Sequence, residues 1–369
     1  MRDVLDDLVA AWRLGEPAGL ATVTATWSSA PRQPGAAMLV RADGTAVGSV
    51  SGGCVEAVVY ELCREVAASG RPRAVRYGVS DDDAFEVGLP CGGTIGVFVE
   101  RAGFGELDVL AAEMGRQRPV ALLTCVDGPA ERIGRHLVLT PEARHGSLGG
   151  DRLDDAAADD GRGLLAAGRT GLLRYGPDGQ RRGTGLDVLV SSFAPAARML
   201  VFGATDHAAA VARIGAFLGY RVTVCDARPV FATAERFPEA AEVVVDWPHR
   251  YLAAEASAGR IDGRTVVCVL THDPRFDVPV LQVALELPLA YVGAMGSRRT
   301  HDDRHKRLGE TGLDEAALAR LCSPIGLDLG ARTPEETAVS VAAEIVALRW
   351  HGTGERLSGT SGPIHHEDV

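Results

Sequence analysis

RMLVFGATDHAAAVARIGAFLGYRVTVCDARP, residues 198–229, reads as a strand, a helix and a second strand. Met199 to Phe202 is an unbroken apolar run of the kind a parallel sheet buries on both faces. From Asp206 to Leu218 apolar residues recur at helical spacing, Gly219 stops the helix, and Arg221 to Cys225 supplies the next strand. This β-α-β unit predicts a doubly wound, Rossmann-like parallel sheet. Gly203 opens the turn, Ala204, Thr205 and Asp206 continue it, and Ala208 takes the third position of a dinucleotide fingerprint. Asp226 follows Gly203 by 23 residues, near the distance at which an acid meets a ribose hydroxyl, with Arg228 beside it. Thr205, however, stands where a second glycine would let a pyrophosphate approach the backbone. Its Cβ crowds that space, so the fold is better specified than any nucleotide.

Downstream, three more strand ends fit the same sheet. RTVVCVL runs into Thr271, His272 and Asp273; LAYVG, which contains Gly293, runs into Gly296, Ser297, Arg298 and Arg299. LCSPIG leads to a final helix with Thr333 as N-cap, Pro334 in its first turn and Glu336 closing a capping box. Ligands of doubly wound sheets sit outside the carboxyl ends of the strands. Gly203, Asp226, Thr271, His272, Asp273, Gly293, Gly296, Ser297 and Arg298 are therefore expected to gather there. GSRR reads either as an anion cradle or as a helix cap with solvated arginines. His272 is a candidate general base, or else a hydrogen-bonded loop histidine without catalytic duty.

Upstream, Val4, Leu5, Leu8, Val9 and Trp12 mark an opening helix, and short β-type runs follow. Two stretches, GSVSGGCVEAVVY (48–60) and GLPCGGTIGVFV (88–99), each set a thiol beside paired glycines: Cys54 beside Gly52 and Gly53, Cys91 beside Gly92 and Gly93. Glycine permits a tight turn or the close approach of another molecule. The next hundred residues repeat this order. AMLV at Ala37 pairs with HLVL at His136, GSVSGG at Gly48 with GSLGG at Gly146, RYG at Arg76 with RYG at Arg174, and GVFV at Gly96 with DVLV at Asp187. The offsets are 99, 98, 98 and 91. Two half-repeats, 21–100 and 121–191, are expected within one domain, chance similarity of short β runs being the alternative. The alignment sets Cys54 against Asp151 and Cys91 against Arg182. An inert core cysteine would not be replaced by a charge, which marks both thiols as site residues. DRLDDAAADDGRG reads as an exposed loop and SSFAPAAR as a linker. The expected organisation is an N-terminal α+β domain (1–195), a Rossmann-like domain (196–350) and a disordered tail (351–369).

A formal charge of −11 over 369 residues argues against a nucleic-acid surface. No run is apolar enough for a membrane span, and the N-terminus does not read as a signal peptide. Seven cysteines in such a chain suggest free thiols in a reducing cytoplasm.

SAPRQPGAAMLV, GSVSGGCVEAVV and GLPCGGTIGVFVE resemble the N-terminal domain of the XdhC/CoxI family. The 198–229 unit, LTHDPRFDVPVL, YVGAMGSRRT and SPIGLDLGARTPEETAVSVAAEIVA resemble its Rossmann-type domain, so the likeness spans nearly the whole chain. Members of that family are maturation factors for molybdenum hydroxylases such as xanthine dehydrogenase and carbon monoxide dehydrogenase. The resemblance implies a bound molybdenum cofactor (molybdopterin), an apo-hydroxylase client, a cysteine desulfurase as a further partner, and a homo-oligomer. Cys54 and Cys91 are then candidate soft ligands to molybdenum. The amides beside the glycines would hold oxo or phosphate oxygens, and Arg32 in the SAPRQPG loop would be a phosphate partner. The family's usual GAGH turn is GATD here, which leaves the nucleotide of the second domain open. Two other readings stand beside this one: an NAD(P)-dependent oxidoreductase with a redox thiol, and a ligand-free docking scaffold.

Overall fold

The computed structural model describes residues 1–27, 32–78 and 93–361. They divide into two compact units, Met1–Pro195 and Ala196–Ser361. In the first, α1 (Leu5–Arg13), β1 (Gly19–Trp27), β2 (Ala37–Val40), β3 (Ala46–Gly48), α2 (Glu56–Ser69), β4 (Arg73–Tyr77) and β5 (Thr94–Arg101) form one half. The other half has the same order: α3 (Leu107–Gly115), β6 (Val120–Asp127), β7 (His136–Leu139), β8 (Arg144–Gly146), α4 (Asp151–Ala167), β9 (Gly171–Tyr175) and β10 (Leu186–Phe193). The two five-stranded sheets run β3-β2-β1-β5-β4 and β8-β7-β6-β10-β9. They carry one topology.

The ladders repeat residue for residue. Arg76 faces Gly96 across β4 and β5, as Arg174 faces Asp187 across β9 and β10. Met38 faces Gly48, as Leu137 faces Gly146. Each central antiparallel pair also slips once, between Val23 and Ala25 of β1 in one half and between Asp187 and Val188 of β10 in the other. Val59, Cys63 and Val66 of α2 cover Ala21, Val23, Ile95, Val97 and Val99. Leu153, Ala157 and Leu165 of α4 cover Leu123, Leu137 and Leu139. A shared cluster joins the halves: Leu5 and Leu8 of α1, Leu107 and Leu110 of α3, and Leu20, Leu39, Leu122 and Val138 from the strands. At the same seam His136 Nε2 lies 3.0 Å from Glu100 Oε2, both side chains buried.

Two expectations fail against this fold. DRLDDAAADDGRG is not a loop but most of α4. Its buried positions, Leu153, Asp154, Ala157, Ala158, Gly161 and Leu165, recur at helical spacing. Asp151, Asp155 and Asp159 lie on the outer face and hide that stripe. Cys54 is not matched with Asp151. The ladder offset of 98 that equates Gly48 with Gly146 continues without a gap, so Cys54 stands opposite Arg152 and Glu56 opposite Asp154.

The second unit holds β11 (Arg198–Phe202), α5 (Asp206–Phe217), β12 (Arg221–Asp226), β13 (Glu242–Val245), α6 (Pro248–Ser257), β14 (Val266–Val269), α7 (Pro274–Glu286), β15 (Tyr291–Ala294), α8 (Arg298–Gly309), α9 (Glu315–Leu318), β16 (Leu321–Cys322) and α10 (Pro334–Trp350). Its six strands are all parallel and run β13-β12-β11-β14-β15-β16. This is a Rossmann-type order, with the switch point between β11 and β14. Apolar residues fill both faces, Val201, Val224 and Cys268 beneath α5 and α10, and Phe202, Val267 and Val292 beneath α6 and α7. α10 begins with the capping box read from Thr333 and Glu336. Beyond it, one 3-10 turn at Leu357–Gly359 lies in the segment expected to be disordered.

Candidate functional site

In the first half-repeat, β1 and β4 end, β3 leaves and β5 begins at one end of the sheet. Trp27 pairs with Thr94 there, and Tyr77 with Ile95. The connections carrying Arg32, Cys54 and Gly93 meet at this end. Cys91 and Gly92 lie outside the described residues. Gly93 is buried at the start of β5 and Arg32 is half-buried. Cys54 is half-buried too, its side chain against the apolar cluster under α2.

The loop around Cys54 is shaped by a residue the sequence reading missed. The Glu56 carboxylate turns back and accepts six hydrogen bonds. Its Oε1 takes the Ser49 hydroxyl at 2.6 Å and the amides of Ser51 and Gly52 at 2.8 and 2.9 Å. Its Oε2 takes the Ser51 hydroxyl and the amides of Gly53 at 2.8 Å and Val55 at 3.2 Å. Burial pushes this carboxyl up, but the hydroxyls and amides outweigh it and bring the pKa from 4.5 down to about 2. Gly52 and Gly53 adopt φ of 82° and 123°, a backbone that only glycine holds without strain, and a Cβ on either would point into open space. The glycines therefore do leave room above the loop. Their amides, however, are committed to Glu56 and not offered to an outside anion. The Cys54 amide likewise donates to Ser51 Oγ at 2.9 Å.

The second half repeats the device. Asp154 accepts the Ser147 hydroxyl at 2.6 Å and the Leu148 amide at 2.7 Å. Serine and carboxylate thus recur seven residues apart in both halves, and that recurrence is the signal that could have found Glu56. What differs is the neighbourhood. Asp187 lies 3.7 Å from Arg174 in the second half. In the first, Gly96 takes the place of Asp187, and the space is filled by the Thr24 hydroxyl and the Trp27 indole, 2.8 and 3.6 Å from where a Gly96 Cβ would stand. The Arg76 guanidinium lies 4.2 Å from that ring and has no carboxylate partner among the described residues. This end of the sheet thus carries an exposed aromatic beside its cation, where the counterpart sets Arg174 against Asp187.

At the carboxyl ends of the second unit's strands, Gly203, Asp226, Thr271, His272 and Asp273 gather as expected. Asp226 is buried and fully engaged. Its Oδ1 accepts the Arg228 amide and Nε, both at 2.9 Å, and its Oδ2 accepts the Ala204 amide and Arg228 Nη2, both at 2.7 Å. Burial raises this carboxyl, yet Arg228 and the two amides hold it below the usual range. Thr205 caps α5 by accepting from the Ala208 amide at 3.2 Å. Asp206, the first residue of α5, is exposed and pairs with Arg236 at 3.2 Å. Asp273 caps α7 and pairs with Arg275 at 2.6 Å, which brings its carboxyl down to about 2. His272 is exposed.

Ser297 caps α8 by accepting from the Thr300 amide at 3.1 Å, and Arg298 follows it, exposed. Gly296 packs beside Thr300. Gly293 does not line the crevice. It is buried inside β15, where a Cβ would meet Ile325 and Tyr291 at 2.6 Å. Behind the crevice lies a buried network that the sequence did not announce. Thr271 donates its hydroxyl to Asp277, and Arg304 reaches Asp277 at 2.9 Å, Ser323 at 3.0 Å and the Met295 carbonyl at 2.7 Å. Burial raises the Asp277 carboxyl despite these partners.

Among the described residues no three His, Cys, Asp or Glu side chains form a metal-binding group. No helix there is long and apolar enough to cross a membrane.

Known proteins share both units. The sequence model described as the XdhC and CoxI family matches residues 11–78 and 114–176, and that of the XdhC Rossmann domain matches residues 199–345. The chain is 29% identical to the molybdenum cofactor insertion chaperone PaoD of Escherichia coli K12, over 95% of this chain and 89% of that one. It is 27% identical to a probable xanthine dehydrogenase subunit of Bacillus subtilis 168, over 90% and 94%. A crystal structure described as a xanthine dehydrogenase from Bacillus halodurans superposes with a TM-score of 0.65 at 24% identity, over 96% of this chain and 97% of that one, a likeness of fold.

Proposed function

We propose, from the premise that the chain belongs to the XdhC and CoxI family, that it is a molybdenum cofactor binding and maturation factor for a hydroxylase of the xanthine dehydrogenase type. The observation that carries this reading is an alignment over 95% of the chain with a protein named a molybdenum cofactor insertion chaperone. The cofactor is cargo, passed to an apo-enzyme client and not turned over.

The residues of the first half-repeat fit such a cargo in part. Cys54 carries a half-buried thiol next in sequence to Gly52 and Gly53, over which the space is open, and a thiolate is a soft donor suited to a sulfur-rich metal centre. Arg32 and Arg76 supply positive charge at the same end of the sheet for an anionic, phosphate-bearing molecule. Trp27 offers a flat apolar surface for a heterocycle. The glycine amides do not fit the role of oxyanion cradle, because Glu56 already holds them. Contact at this loop is therefore assigned to the Cys54 sulfur. The cargo brings the molybdenum and its dithiolene; the chain binds, orients and shields it. A cysteine desulfurase as sulfur source and assembly into a homo-oligomer belong to the same proposal.

Anaerobic purification followed by metal analysis and mass spectrometry of the released small molecule tests the reading. The expected result is molybdenum with a pterin, retained by wild type and reduced in Cys54→Ser. Full retention in Cys54→Ser would move the site away from this loop, and the absence of any pterin after co-expression with the cofactor pathway would refute the function.

A further inference from the structure

A Rossmann-type sheet implies a dinucleotide, and the second unit provides a direct test of fit. Three features of such a site are an acid free to accept a ribose hydroxyl, a glycine turn open to a pyrophosphate, and a helix N-terminus that attracts negative charge. None of the three is free here.

The acid is Asp226. A carboxylate offers about four lone-pair sites, and all four are used, three by Arg228 and one by the Ala204 amide. A ribose hydroxyl would have to displace a guanidinium from a buried carboxylate. The Ala204 amide, one of the turn's donors, is spent on the same acid. The turn itself is filled from both sides. Thr205 adds a side chain at the second glycine position, and Thr271 stands so close across the switch point that a Cβ on Gly203 would lie 2.8 Å from its methyl. The helix N-terminus carries the exposed carboxylate of Asp206, which opposes a pyrophosphate. The acids around the mouth are paired internally: Asp206 with Arg236, Asp226 with Arg228, Asp273 with Arg275.

From this arrangement we infer that the crevice of the second unit is filled by the chain's own side chains, with Arg228 seated at the acid that would otherwise read a ribose, and that the unit binds no NAD or NADP. The Rossmann-type sheet then serves as a scaffold, and a nicotinamide-dependent redox step has no seat in it. Arg228 is held in place from its other side as well, its guanidinium lying 4.8 Å from the Phe231 ring.

The test uses the full chain. It is titrated with NADH and NADPH to about 1 mM, the upper end of ordinary enzyme–ligand affinities, with nicotinamide fluorescence and melting temperature as readouts. A ligand that binds the folded state raises the melting temperature, so neither a saturable signal nor an upward shift is expected. A saturable signal lost in Asp226→Ala would overturn the inference. A saturable signal that survives Asp226→Ala would put the dinucleotide outside the crevice, as the filled crevice requires. The second arm is Arg228→Ala. Removing the plug strands a buried carboxylate, so its melting temperature should fall by several degrees, and NADH should not restore it. An Arg228→Ala variant that melts as wild type would show that Arg228 does not hold the crevice closed. Neither arm depends on molybdenum, so the outcome is independent of the maturation reading.

Discussion

Glu56→Gln is the substitution that most directly probes the thiol-bearing loop. The wild-type carboxylate takes six donors and has none of its own to offer. A glutamine amide would set two N–H groups against three of those donors. The lowering of the carboxyl from 4.5 to about 2 corresponds to about 3 kcal/mol if it were all realised in folding. Glu56 is partly exposed, and solvent screening reduces this to roughly 1–2 kcal/mol. For a unit of this size that is a drop in melting temperature of about 2–8 °C. The sign with pH follows from a pKa depressed in the folded state: the contribution is complete above the ordinary carboxylate value and is lost as pH falls from 4.5 toward about 2. Melts of wild type and Glu56→Gln should therefore differ at pH 7 and converge in acid. The rate of Cys54 alkylation, read by peptide mass spectrometry well below the melt, should change in Glu56→Gln and recover in Glu56→Asp, since Asp154 shows that the shorter acid closes such a loop. Identical melts and identical alkylation in wild type and Glu56→Gln would refute the claim that this carboxylate holds the loop.

Alkylation under native conditions should reach Cys54 and spare Cys63, Cys225 and Cys268, whose thiols are buried and pushed up by desolvation, Cys63 and Cys225 to about 12; peptide mapping checks this. Gly293→Ala, whose Cβ would meet Ile325 and Tyr291 at 2.6 Å, should cost about 1–3 kcal/mol by overpacking, measured by urea denaturation. Asp277→Asn leaves the buried Arg304 without its counter-charge and should cost about 3–5 kcal/mol, while Asp303→Asn, which breaks an exposed pair with Arg307, should cost less than about 1 kcal/mol.

The strands and the helices α1, α5 and α10 were legible because their signals are local. An apolar run such as Met199–Phe202 or a cap such as Thr333 with Glu336 needs no knowledge of the rest of the chain. The repeat was legible too, since strand residues such as Ala37 and His136 keep their ladder positions at offsets that drift only by small gaps. α4 was not, because the exposed Asp151, Asp155 and Asp159 interleave with its core residues and mask a stripe that only packing reveals. The site was harder for a related reason. Gly52, Gly53 and Cys54 announce themselves by type, but which donors remain free depends on where the Glu56 side chain folds back. Asp226 was found at the right distance from Gly203, and its role still could not be read. Its acceptor capacity is consumed by Arg228, two residues on, which a spacing rule does not count.

Two copies of one topology side by side in a single chain carry a hazard in folding. While the first unit is incomplete, β5 could pair with β6, or β10 with β1, since each exposes the same kind of edge to the same kind of partner. Such strand exchange is a characteristic failure of repeat proteins. The divergence of the halves guards against it. With the sheets correctly formed, Arg174 faces Asp187 while Arg76 faces Gly96 and reaches Trp27. If β4 exchanged onto β10 and β9 onto β5, the Trp27 indole would be left without the Arg76 guanidinium. The residues that distinguish the two halves in chemistry thus also mark which strand belongs to which sheet.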